Sequence, residues 1–517
     1  MYIGFGLLCG LSLVSAGAIY DATEPVRVAV VGGGVYGVAS AFFLQYGMEQ
    51  FGVPIEITIF EKADRIGGQV RRIHLPYPLQ TIEVTAGHNL IRDSDRYVSA
   101  LVRNHGLTLI KSTDPFAEDK RYGIWDGKKF VFRNSRFEPL GVAKTALHYG
   151  IRSKKKAEEL STNHVSKHNG VYSERYPFET MEQGLRRFAA KSETQCSILD
   201  AAGATDDVRE RYLNEVVEAR IRFELYQTFS DVHCAALAET LYPQGRYLIK
   251  EGFDELLKRL QIISGATVKY QTEVTTITKR KGGRAIYSLT TADGQIDNFD
   301  AVVLATSQAS LPDRNAIVFD GLANPPKNDQ VKYQSLYTTV VIGQLNWDHF
   351  NHHIRSRRTR FVRPSHRYDY IISTETSMEE ALFNSITTVH TLTKNELQGL
   401  IKQGGLNDEQ INPLETVTVT KVTSHRQLDS SDLNQLFTTV VWFHANEHFR
   451  YPILSPRANQ DFPHIKLDDR VYYPNAMDAF IDTVEHATLA GDNVAQLIVE
   501  DLLSIIGYSS DLENQGH

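Results

Sequence analysis

A β-branched run, Val26-Arg27-Val28-Ala29-Val30-Val31, ends directly in Gly32-Gly33-Gly34-Val35-Tyr36-Gly37, and no other stretch of the chain restricts its fold so sharply. A short valine-rich run of this kind reads as a strand buried on both faces in a parallel sheet. Gly32, Gly34 and Gly37 then occupy the fixed positions of a GxGxxG motif. The first glycine permits a tight turn, the second lets backbone approach a pyrophosphate, and the third lets the next helix pack closely on the strand. Gly37 to Tyr46 has helix-compatible spacing, with Ala39, Ser40 and Ala41 small enough for the helix to lie close on the sheet, and Ile55 to Phe60 follows as a second strand. These elements form a βαβ unit that should be right-handed, and its helix N-terminus offers partial positive charge to a phosphate. Glu61 ends the second strand, where a carboxylate can accept two ribose hydroxyl hydrogens. A glycine turn with no ligand is a poor explanation of that context, and the fold class expected is α/β with a Rossmann-type dinucleotide-binding domain.

At 517 residues and 42% hydrophobic content the chain is too long for one ordinary domain, so two intertwined domains are expected. A net charge of −7 supplies no field that would gather nucleic acid or an anionic membrane. A small or apolar partner fits better. The N-terminal apolar run from Tyr2 to Val14, followed by Ala16 and Ala18, reads as a cleaved signal peptide over 1–18. No Lys or Arg precedes the run, so an uncleaved anchor is the alternative, but the run is short for a membrane span. Cys196 and Cys234 remain after such cleavage; two buried free thiols are the expectation, with pairing the alternative.

Sequence character divides the remainder. The first part of the nucleotide domain is expected over 25–110, a largely helical insertion of the substrate domain over 111–240, and a second part of the nucleotide domain over 241–310. The substrate domain proper is expected over 311–460 as mixed α+β, and a third part of the nucleotide domain over 465–505, with a long apolar-periodic helix closing 471–503. VKYQTEVTTI, AIYSLTTADG and FDAVVLAT, separated by turn sequences, suggest a three-stranded antiparallel crossover. His444-Ala445-Asn446-Glu447-His448 matches HxxEH, but its strand-like surroundings are poor for the helix a zinc protease needs, and no metal site is expected. The arginine-rich stretch 352–360 reads as a solvated loop.

Glu61-Lys62-Ala63-Asp64-Arg65-Ile66-Gly67-Gly68-Gln69 resembles the E…GGR segment of the flavoprotein superfamily that includes the amine oxidases. The resemblance implies FAD, with Tyr36, Lys62, Arg65, Gly68 and Gln69 beside it and Val274 at the position whose backbone holds adenine. Gln69 stands where that segment usually has arginine, so a cation there is lost and Arg65, Arg71 and Arg72 are the candidate replacements. No second GxGxxG follows a strand later in the chain. Without a nicotinamide site, electrons must come from an organic substrate and leave to O₂ or another acceptor.

The stretches VAVVGGGVYGVASAFFL, VTAGHNLIRDSDRYV, YQSLYTTVVIGQLN and LDDRVYYPNAMDAFIDTVEHATLAGDNVAQLI narrow the resemblance to the prenylcysteine oxidase, or prenylcysteine lyase, family. It implies a secretory-pathway flavoprotein, lysosomal, vacuolar or extracellular, without a stable membrane span once the signal is removed. The implied reaction is hydride loss from the prenyl C1 of a prenylated cysteine to FAD, addition of water, collapse to cysteine and a prenyl aldehyde, and re-oxidation by molecular oxygen to give H₂O₂. In this fold the chain after strand 470–473 passes beneath the flavin, which makes Asn475, Ala476 and Met477 candidate contacts. Thr85 replaces a glutamate usual in the family, leaving room for another isoprenoid or lipophilic substrate. An oxidative cyclase, or a prenyl-binding escort protein with this architecture, are the rival readings. No catalytic base is identifiable.

Overall fold

The computed structural model describes residues 11–13, 24–506 and 508–510, except 88, 113–115, 117–120, 135–137, 150–154, 156–157, 160, 163–176, 188–210, 243–244, 283–285, 309–315, 328–329, 352–367, 405–415 and 459–460. The signal segment and the arginine-rich stretch therefore lie almost wholly outside the described residues.

Val26–Val31 and Ile55–Phe60 form parallel neighbours, from Val26 opposite Ile55 to Val31 opposite Phe60, joined by the helix Val35–Gln50. Ala301–Leu304 pairs in parallel with Val28 to Val31 on the other edge, and all four of its residues are buried. The sheet is completed by Thr267–Lys269 beside Ile55–Phe60, and by Val471–Tyr472 and Lys466–Asp468 on the far side. Five of its six strands are parallel, and the central ones, Val26–Val31 and Ala301–Leu304, have the near-continuous apolar character of strands covered on both faces. One apolar core surrounds this sheet.

The helix Val484–Ile506 packs along Val35–Gln50, and a Cβ on Gly491 would come within 2.7 Å of the Ala39 Cβ and 2.9 Å of the Ser40 nitrogen. Small residues in the first helix thus admit a second helix. The closing helix is shorter than periodicity suggests, because residues 471–483 hold a strand and a 3-10 turn, Pro474–Ala479. The crossover also differs in membership. Its antiparallel strands are Val274–Lys279, Tyr287–Thr291 and Ile296–Phe299, with Val318–Asp320 added in parallel, whereas AVVL at 301–304 returns to the main sheet. An apolar run of four is long enough for either role, and only the partner strands decide it.

A second, seven-stranded sheet runs in the order Phe437–Pro452, Tyr333–Leu345, Thr418–Ser424, Ser385–Thr391, Tyr370–Ser373, Tyr122–Trp125, Phe130–Arg133. Only Tyr370–Ser373 and Tyr122–Trp125 are parallel neighbours. Separate apolar clusters cover its two faces, one around Trp125, Phe350 and Phe383, the other around Val340, Ile342 and Leu79. The two longest strands pair from Tyr333 opposite Pro452 to Leu345 opposite Phe437, with a register shift between Thr338 and Val340. The HxxEH residues lie on this pairing, on a strand and not a helix.

Segment 111–240 supplies the two strands at 122–133 and the helices Glu218–Leu225 and Cys234–Leu241, the former preceded by a π-helical turn at Tyr212–Val217. These helices are joined to the nucleotide domain through buried charge: Arg92 pairs with Glu224 at 3.1 Å and Glu239 at 3.3 Å, and Arg246 pairs with Glu224. Cys234 is disulfide-bonded, which corrects the free-thiol expectation. Two cysteines in a chain this long gave no spacing framework from which to read the bond. No helix among the described residues is long and apolar enough to cross a membrane.

Candidate functional site: a cavity between two glycine turns

Gly32 has φ 110°, and a Cβ there would lie 2.4 Å from the Ala305 carbonyl oxygen, so glycine alone fits. Gly37 is closer still: its Cβ would sit 1.9 Å from the Gly32 carbonyl oxygen. Gly34 is different. Its backbone is extended, and the nearest atom to an added Cβ is the Gly68 Cα at 3.8 Å. Strand and helix thus close upon Gly32 and Gly37, while Gly34 stands open beside a cavity of about 440 Å³.

The second turn faces the first. Gly67 (φ 114°) donates its N–H to the Gly33 carbonyl at 2.8 Å, and Gly68 (φ 55°) brings its backbone to within contact of Gly34. Arg65 donates to the Ile66 and Gly68 carbonyls at 3.2 and 3.3 Å and so secures this turn from below. Of the three arginines considered as replacements at position 69, Arg65 and Arg71 line the cavity. Arg72 is held away from it by Glu83 and Asp254, each at 3.1 Å. Gln69 lines the cavity while its side-chain carbonyl accepts the Arg450 N–H, tying the turn to the long strand Phe437–Pro452.

Glu61 is buried and uses each carboxylate oxygen once: Oε2 accepts from the Gly33 N–H and Oε1 from the Ala63 N–H, both at 2.8 Å. A carboxylate has about four acceptor sites, so capacity remains for hydroxyls of a ligand. Lys62 and Val274 line the same end of the cavity, Val274 brought there because Thr272 and Gln271 donate to the Glu61 and Ala63 carbonyls at 2.9 Å.

At its other elements the cavity is lined by Tyr36, Tyr333, Phe449, Tyr451, Asn475, Asp478, Asp482, Thr483 and Val484. Asn475 lines the cavity, but Ala476 and Met477, on the same 3-10 turn, are not among the lining residues; their side chains are buried in the core. The helix N-terminus that reaches the cavity is that of Val484–Ile506. Asp478 accepts from the hydroxyls of Tyr36 at 2.5 Å and Tyr333 at 2.6 Å, and from the Asn475 amide at 3.0 Å. Burial lifts its carboxyl above the usual range, against the pull of those donors. Asp482 is lifted well above that range, first by burial and then by the charge of Asp478. Burial and Asp478 likewise raise the phenols of Tyr36 and Tyr333. Sequence reasoning missed both aspartates; two acidic residues inside the apolar stretch 476–484 were the available signal.

These residues fit a dinucleotide such as FAD. The open face of Gly34 is a cradle that any side chain would fill, the Val484 helix end supplies first-turn N–H groups without intrahelical partners, and the Asn475 Oδ1 is buried without a hydrogen-bond partner among the described residues. An acceptor so placed suits a hydroxyl-bearing chain.

Comparison with known proteins matches two stretches of the chain. Residues 30–104 match an NAD(P)-binding Rossmann-like domain, and residues 132–506 match the prenylcysteine lyase family. Bovine prenylcysteine oxidase 1 is 23% identical across 96% of this chain and 92% of its own length; the bovine prenylcysteine oxidase 1-like protein is 25% identical across 95% and 94%. Among solved structures, a putrescine oxidase variant aligns with a TM-score of 0.55 at 10% identity over 93% of this chain and 99% of its own. Cyclohexylamine oxidase from Brevibacterium oxydans aligns at 0.54 and 13% identity, over 93% and 100%. The α/β fold expected from the sequence and the family resemblance are both borne out. With its family signature extending over most of its length, the chain belongs to the prenylcysteine lyase family.

Proposed function

We propose that this chain is an FAD-dependent oxidase that cleaves a prenylated cysteine with O₂ and water to cysteine, a prenyl aldehyde and H₂O₂. The observation that carries the reading is the convergence of the Gly34 cradle, the Gly67-Gly68 turn, Glu61 and the Val484 helix end on one cavity in a chain of this family. Bound FAD would supply the acceptor for a hydride, that is, two electrons and a proton, which no side chain lining the cavity can provide. The protein's share is positional. Gly32, Gly34, Gly68 and the first turn of Val484–Ile506 hold phosphate and oxyanion groups, Glu61 and Lys62 hold the ribose end, and Asn475 accepts a hydroxyl hydrogen. Phe449, Tyr451 and Tyr333 give the cavity aromatic walls that shield a reacting thioether from bulk water. Asp478, tied to two phenols and an amide, fixes the floor of the site. With this activity we propose a location in the secretory pathway, in a lysosome, vacuole or outside the cell, a reading supported by the resemblance to prenylcysteine oxidases.

Anaerobic mixing of the purified flavoprotein with farnesylcysteine tests this. Loss of the oxidised flavin absorbance, followed on aeration by equal amounts of cysteine and farnesal, is expected. A spectrum that stays oxidised at saturating farnesylcysteine refutes the substrate assignment and leaves a different lipophilic substrate.

A further inference from the structure

The HxxEH residues take no part in the reading so far, yet one of them, His448, lines the same cavity. Arg71 follows the second glycine turn and lines the cavity, as does His448. An ion pair joins Arg71 Nη1 to Glu447 Oε1, and the other Glu447 oxygen meets His444 Nε2 at 3.0 Å. The three side chains differ in access: Glu447 is 12% exposed, whereas Arg71 and His444 are 43% and 40% exposed. A shielded carboxylate therefore lies behind a guanidinium and an imidazole that face outward. Burial and the neighbouring Arg71 lower the proton affinity of His444, so the imidazole is neutral at pH 7 and the pair carries one charge of each sign.

Two features make this a built pair. The strand register shifts between Thr338 and Val340, opposite residues 444–447, and such bulges re-aim side chains. The Gln69 acceptance of the Arg450 N–H then locks the turn carrying Arg71 to the strand carrying Glu447. Only Nη1 of Arg71 has a hydrogen-bond partner among the described residues, which leaves part of the guanidinium fork for a second carboxylate.

We infer that Arg71 and Glu447 form a subsite for a zwitterionic amino-acid head group, the α-carboxylate on Arg71 and the α-ammonium on Glu447, with His444 positioning Glu447. The inference rests on the reading of the chain as a prenylcysteine oxidase and names what holds the polar end of its substrate while the apolar end enters the cavity. A free amino acid offers both charges, and Arg71 and Glu447 give each of them a partner of opposite sign.

The test uses the flavin-loaded enzyme and its Glu447→Gln and Arg71→Met variants with farnesylcysteine, N-acetyl-farnesylcysteine and farnesylcysteine methyl ester. Binding is read from flavin difference spectra without oxygen, and turnover from kcat and KM. Wild type should favour farnesylcysteine by roughly tenfold or more over each blocked analogue, as loss of a charge-assisted hydrogen bond implies. Glu447→Gln should abolish the preference over the N-acetyl compound, and Arg71→Met the preference over the methyl ester, through KM with flavin content unchanged. Equal losses on all three compounds, or no wild-type preference, overturn the subsite. Loss of flavin from Arg71→Met overturns it too, by assigning Arg71 to the cofactor. If wild type neither binds nor oxidises any of the three, the proposed function falls with it; oxidation of all three without discrimination sinks the subsite alone.

Discussion

Replacing Gly34 by alanine separates cofactor binding from folding. The Gly34 backbone lies at φ −78° and ψ −170°, which alanine adopts freely, and its added methyl would meet nothing closer than the Gly68 Cα at 3.8 Å. Restricting the unfolded chain stabilises by about 0.4–1 kcal/mol. Alanine is a poorer helix N-cap than glycine by a comparable amount. The protein without flavin should therefore melt within about 1 kcal/mol of wild type in stability terms. The methyl instead points into the cavity, where it displaces a phosphate from backbone N–H donors. Losing two charge-assisted hydrogen bonds at about 1.5 kcal/mol or more each weakens FAD by about 3 kcal/mol, roughly a hundredfold in Kd. Gly37→Ala reverses the pattern, because its methyl would strike the Gly32 carbonyl at 1.9 Å and must separate helix from strand. Overpacking of that kind costs about 1–3 kcal/mol and often more. Flavin-fluorescence titration and thermal melting of the flavin-free proteins measure both effects. Wild-type FAD affinity in Gly34→Ala, or a melting point as low as that of Gly37→Ala, would show that the Gly34 cradle does not hold the pyrophosphate.

Lys421 sits in the seven-stranded sheet beside Val340 and Thr387, and removal from water pulls its ammonium down from 10.5 to about 8. At about 1.4 kcal/mol per pKa unit, Lys421→Met should gain about 3 kcal/mol at pH 7. That corresponds to about 3 °C for a cooperative transition of this size. Because the unfolded chain binds the proton more tightly, the wild-type deficit shrinks as pH rises from 8 toward 10.5, so melting points that keep their separation at pH 10.5 refute the assignment. The Asp482 carboxyl is raised, so its contribution to stability is present in acid and lost as pH rises toward and through its folded value. Asp482→Asn should raise the melting temperature more at pH 8 than at pH 5; equal shifts refute this. Arg246→Met leaves Glu224 buried without one of its cations and should cost about 3–5 kcal/mol; a melting point within 1 °C of wild type would contradict it.

The opening unit of the fold, Val26 to Glu61, was legible because its signals are close together in the chain. The valine run, the glycine spacing and Glu61 all fall within one strand–helix–strand unit, and the structure pairs Val26–Val31 with Ile55–Phe60 accordingly. The floor of the site was not legible. Tyr36 and Asp478 are 442 residues apart yet share a 2.5 Å hydrogen bond, and no periodicity links them. Apolar spacing across 471–503 also hid the 3-10 turn, since a buried turn beneath a cofactor is as apolar as a helix. Strands 296–299 and 301–304 differ in which sheet accepts them, which sequence runs alone do not encode.

The nucleotide sheet takes Val26–Val31 from near one end of the chain and Val471–Tyr472 from near the other, and the helix Val484–Ile506 rests on the helix that follows the GxGxxG turn. During synthesis the glycine cradle emerges first and waits for more than four hundred residues before its floor and second helix arrive. A chain that stops before residue 484 therefore lacks Val484, Ala487 and the helix end of the cavity, however much of the seven-stranded sheet it has built, and is expected to leave the ribosome cofactor-free.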